Sequence, residues 1–176
     1  LMQMRNSNDP SFKPLSWSAL NAQKSQFKTQ PELFEYLQAS HLFYVQNKTT
    51  EALNYLPSQS PTLGSYLQLS QAFLKGQILE KTAPKQATAY WAQLLKQSKN
   101  QDQRGLFEVA LAKHLNQQQN YQAFISKQAQ ISQLNLQRDF LLYYANEQSL
   151  EKIIQAPEAE HTQKQAALFV LLAKSL

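Results

Sequence analysis

Three glycines in 176 residues leave this chain little with which to build tight reversals. An antiparallel sheet needs a turn every few residues, and its favoured turns hold the backbone at positive φ, where glycine is at home. A sandwich or barrel is disfavoured on that ground. Ala, Leu, Gln, Lys and Glu dominate instead, all of them good helix formers, and 27 residues are glutamine. Hydrophobic residues make up 43% and charged residues 16%. That apolar content exceeds what a disordered chain carries, so a packed core is expected. The predicted class is all-α.

The seven prolines fall at intervals between apolar stretches and divide the chain into helical segments. Residues 1 to 14 are polar and broken by Asn6, Asn8, Pro10 and Pro14, which reads as an arm. Leu15 to Phe27 forms a first helix with Ser16 as its cap. Residues 1–30 are thus an N-terminal arm and first helix, and 31–176 a helical-repeat domain. Pro31 occupies a first-turn position, and Phe34, Leu37, His41 and Tyr44 follow at helical spacing. Asn47-Lys48 ends that run, and Thr49 or Thr50 caps a short helix carrying Ala52, Leu53 and Leu56 that stops at Pro57. The next pair runs from about Thr62 to Glu80 and from Pro84 to before Asn100. A third reads as Gln103 to Asn116, a Gln117-Gln118-Gln119-Asn120 turn, and a segment with Tyr121, Phe124, Ile125 and Ile131. A fourth is Leu134 to Asn146 with Ser149 to Gln155, and a last helix starts near His161.

Small residues recur along these pairs. Ala39, Ala72, Ala110 and Ala145 mark the middles of the leading helices at spacings of 33, 38 and 35 residues. Ala52, Ala87 and Ala123 mark the second helices at 35 and 36. Ala72 in one helix, then Ala87 and Trp91 in the next, resembles the tetratricopeptide repeat, whose period is about 34 residues. Ala52 with Leu56 and Pro57 is a fainter echo of its Ala, Phe and terminal Pro. The family's Trp, Leu-Gly and Tyr positions are not matched elsewhere, and the turn at Glu80 to Lys85 reads longer than the standard one. The resemblance covers about residues 31 to 155. It implies a right-handed α-solenoid of about four antiparallel helix pairs and a tendency to bind protein.

The chemistry-bearing residues are sparse. Cysteine is absent, which removes disulfides, thiolate zinc sites and thiol nucleophiles, and fits an exported, periplasmic setting with a cytoplasmic one as the alternative. His41, His114 and His161 show no metal-ligand spacing, so no metal or cofactor is expected. His41 and His114 sit in apolar stretches and read as hydrogen-bonded core histidines. Glu147 with Glu151, and Glu158 with Glu160, read as solvated helix surface rather than a catalytic carboxylate pair. Gly64, Gly76 and Gly105 are isolated, so no phosphate-cradling loop exists. Asn47-Lys48-Thr49 matches a glycosylation acceptor, but Asn47 reads more simply as a helix C-terminal residue. The net charge of +5 is carried by scattered lysines with only Arg5, Arg104 and Arg138 as arginines, so nucleic acid is not the expected partner. No apolar run reaches the roughly 18 to 20 residues that span a bilayer.

Adjacent helical residues point about 100° apart, so in Tyr143-Tyr144 and in Tyr90-Trp91 one ring of each pair is directed away from the core. Exposed Tyr and Trp anchor interfaces, and these four are the candidate interface residues. The expected function is a non-catalytic helical-repeat scaffold that binds a protein or peptide. The competing expectation is an accessory helical domain of a larger exported cell-envelope enzyme. Leu1 is not Met, and the run Ala166 to Ala173 has no stop signal after it. An apolar helix of this kind needs a neighbour. Either the chain is an excerpt of a longer one, or the last helix packs back on the pair before it.

Overall fold

The computed structural model describes residues 13–58 and 62–175; the arm expected over residues 1 to 14 lies almost wholly outside them. The described residues are helical and contain no strand. The helices are α1 (Trp17–Ala22), α2 (Pro31–Tyr44), α3 (Thr49–Ala52), α4 (Tyr66–Thr82), α5 (Pro84–Gln97), α6 (Gln101–Gln117), α7 (Tyr121–Ala129), α8 (Leu134–Asp139), α9 (Glu147–Gln155) and α10 (His161–Lys174). Two short 3-10 turns, Lys24–Phe27 and Leu53–Tyr55, follow α1 and α3, and a π-helical turn, Phe140–Tyr144, prolongs α8. The chain forms two compact units, Leu1–Ala83 and Pro84–Leu176.

Local signals set most helix starts. Ser16 caps α1 by accepting from the Ala19 N–H at 3.1 Å, and Pro31 opens α2 where its missing N–H costs nothing. Ser65 caps α4 in a reciprocal box with Gln68. Asn100, Asn120 and Asn146 cap α6, α7 and α9 through their side chains. Thr49 and Thr50 do not cap α3, because the helix begins one residue earlier than such a cap requires and Lys48 holds that place. α4 runs on to Thr82 and leaves Ala83 alone before Pro84, a shorter connection than the sequence predicts. Asn47 (φ 55°) and Gln119 (φ 56°) take the left-handed conformation that ends α2 and α6. The Asn120 N–H reaches the Leu115 carbonyl at 3.0 Å and closes the second of these ends.

The core of the first unit gathers Tyr36, Ala39, Leu42 and Phe43 of α2, Ala52 and Leu56, and Leu74 and Ile78 of α4, with Trp17 and Tyr55 packed against them. Ala39 and Ala52 are fully buried, and a side chain of that size lets α2 and α3 approach closely. His41 fastens α1's leading segment to this core: its Nε2–H donates to the Leu15 carbonyl at 2.6 Å, while Gln46 Nε2 lies 3.3 Å from Nδ1. Lys75 reaches from α4 to the carbonyls of Pro57 and Ser58 at 2.9 and 3.3 Å. Partial burial pulls its ammonium below the usual lysine value.

In the second unit α5 packs on α6, α6 on α7, and α9 on α10. Trp91, Phe107, Phe124, Phe140, Leu150 and Ile153 fill its core, with the Phe124 and Phe140 rings 5.4 Å apart. His114 donates from Nε2 to the Pro84 carbonyl at 3.0 Å, which ties the end of α6 to the start of α5. Buried Glu108 on α6 accepts from Arg104 Nε at 2.9 Å and from the Ser132 N–H and hydroxyl at 2.9 and 3.0 Å. It thereby pins the segment entering α8. Gly105, next to Arg104 on α6, makes room for α8: a Cβ there would lie 2.9 Å from Leu136 Cδ1.

Of the alanines that recur along the chain, Ala39, Ala72 and Ala110 are buried within α2, α4 and α6. Ala145 is buried too, but it follows the π turn in extended conformation and lies outside any helix, so it is not the middle of a leading helix. The partner of α9 is α10, which packs back on it and on the π turn, one of the two outcomes expected for the last helix.

Candidate functional site

The four aromatic candidates part company. Trp91 is fully buried, its ring 6.2 Å from that of Phe107, so it belongs to the core and presents nothing to a partner. Tyr90 is half-buried with its ring 6.0 Å from Trp91. Burial pushes its phenol above the usual tyrosine value. The expectation of an outward ring in this pair is corrected for Trp91, because α5 turns that position onto α6.

Tyr143 and Tyr144 are both exposed, at 77% and 44%. Two adjacent rings share the surface because the backbone widens here: the Ala145 N–H reaches back five residues to the Phe140 carbonyl at 3.1 Å. Phe140 and Leu141 face the core, and Leu142, Tyr143 and Tyr144 face out. Lys113 Nζ stands 5.4 Å from the centre of the Tyr144 ring. The neighbouring α10 adds Leu168, Phe169 and Leu172, of which Phe169 is 71% exposed. Lys174 Nζ donates to the Ala145 carbonyl at 2.6 Å and joins α10 to the end of the π turn. These three α10 residues are legible in the sequence only as part of an apolar run needing a neighbour; their outward face is not.

A separate cavity of about 640 Å³ lies in the first unit, lined by Lys24, Phe27, Lys28, Phe34, Gln38 and Tyr55 among others. The 3-10 turn supplies Lys24 and Phe27, with Lys28 directly after it, and α2 supplies Phe34 and Gln38. The Phe27 and Phe34 rings lie 5.4 Å apart. Gln38 is 8% exposed and donates from Nε2 to Asn21 Oδ1 at 2.8 Å. No local pattern announces this cavity, since its walls come from segments some thirty residues apart.

His41 and His114 are buried and hydrogen-bonded to backbone carbonyls, which makes both structural. Glu147, Glu151, Glu158 and Glu160 are all exposed; the first two lie on α9, whereas Glu158 and Glu160 lie in the connection before α10 rather than on helix surface. Among the described residues no three His, Asp or Glu gather into a group that would hold a metal ion. No described helix is long and apolar enough to cross a membrane. Comparison with protein-family models, curated proteins and solved structures finds no match to the chain.

Proposed function

We propose that the chain is a non-catalytic scaffold of tetratricopeptide-like helix pairs, of the right-handed α-solenoid class, that binds another protein or peptide. The observation that carries the binding role is the outward apolar set on α10 and the π turn: Tyr143, Phe169 and Leu172 are 77%, 71% and 59% exposed. Large apolar side chains left in water on adjoining elements mark interaction surfaces, and Tyr is among the residues that anchor them. Lys113 and Lys174 border this set. The partner it fits is an apolar segment flanked by acidic residues, with the lysines steering its approach. Support for the repeat comes from Ala39, Ala72 and Ala110, buried within helices about one repeat apart.

The test compares the wild type with a Tyr143→Ser, Phe169→Ser, Leu172→Ser variant, using light scattering and capture from lysate of the native host. The expected result is a specific protein held by the wild type and released by the variant, with unchanged circular dichroism. Equal retention by both, or a wild-type dimer that the variant abolishes, overturns the proposal.

A further inference from the structure

The cavity beside α2 plays no part in the reading above, and either can fail without the other. We propose that it binds an N-acylated apolar amino acid with a free carboxylate, the chemistry shared by a peptide's C-terminal residue and by a small N-acyl amino acid. Three features of its lining specify the three parts of that ligand.

The carboxylate is matched by Lys24 and Lys28. Both line the cavity, and neither has an ion-pair partner among the described residues. Glu35 on the same lining is likewise unpaired, leaving a net charge of one positive, which suits a single carboxylate over a dianion. The apolar side chain is matched by Phe27, Phe34, Pro31 and Tyr55. The amide N–H is matched by Gln38: its side chain is more than nine-tenths buried, Nε2 is committed to Asn21, and Oε1 has no hydrogen-bond partner among the described residues. That oxygen keeps access to solvent, so a ligand N–H takes the place of water on it. The volume falls within the range of about 300 to 1,000 Å³ typical of small-ligand sites.

The probes are N-acetyl-L-phenylalanine, its carboxamide, and the peptide Ala-Ala-Ala-Phe with a free C-terminus, titrated into the 176-residue chain and followed by amide NMR and calorimetry. The free acids are expected to bind about five- to tenfold tighter than the carboxamide, the margin that two partly exposed charge pairs supply. Lys24→Gln with Lys28→Gln removes that margin without changing the melt, since both side chains are exposed. Gln38→Leu weakens acid and carboxamide alike. A peptide that binds tighter than the acetyl amino acid identifies a chain terminus as the source, and equal binding identifies the small acid. Equal affinity for acid and carboxamide, an unchanged margin in the lysine variant, or no saturable binding at about 1 mM overturns the proposal.

Discussion

Removing the charge pair on α6 tests how the segment entering α8 is held. Glu108 is 5% exposed and accepts three hydrogen bonds, from Arg104 Nε and from the backbone and hydroxyl of Ser132. Glu108→Met keeps the volume and loses all three. Hydrogen bonds to a charged group contribute about 1.5–3 kcal/mol each, but Arg104 and Ser132 are exposed and regain water. The expected net cost is therefore about 2 kcal/mol, well below the sum. Arg104→Met leaves a buried carboxylate without its cation and costs about 2–3 kcal/mol. In the double variant no charge is left buried, so its cost falls short of the summed single costs by about 1–2 kcal/mol. Urea unfolding followed by circular dichroism, with unchanged slopes, measures all four corners of the cycle. Additivity within about 0.5 kcal/mol, or a Glu108→Met protein as stable as the wild type, would refute the reasoning.

Two further outcomes follow from buried polar groups. Tyr90 is neutral in the folded chain well above its ordinary value, so the unfolded chain loses this proton first as pH rises. Stability therefore falls above about pH 10, and Tyr90→Phe reduces that loss and removes the last-ionising component of the ultraviolet tyrosine titration. Gln163 donates from Nε2 to Gln128 Oε1 at 2.6 Å in the interior. Gln163→Ala strands that acceptor and is expected to cost about 1–3 kcal/mol by denaturant unfolding; a smaller loss would mean water replaces the donor.

What is legible in the sequence is what short-range chemistry decides. Ser16 and Pro31 fix helix starts within one turn of themselves, and Asn47 ends α2 through its own φ. Asn100 and Asn146 mislead because asparagine serves at either boundary; both read as ends and both cap the helix that follows. Trp91 and Tyr143 differ in exposure for reasons no window of sequence holds. One depends on where α6 lies, the other on a backbone widening that the residues Phe140 to Tyr144 do not announce. The cavity is less legible still, because Lys24 and Tyr55 meet only through tertiary packing.

The widened turn after α8 makes the display of Tyr143 and Tyr144 a matter of counting residues rather than choosing them. Its five-residue reach accommodates one more residue than an α-helical turn between the same anchors, Phe140 inside and Ala145 at the exit. Deleting a single residue there would let the helix close regularly and swing everything beyond it by about 100°. In any protein built on this plan, an insertion or deletion at that point re-aims the surface even where every aromatic is retained.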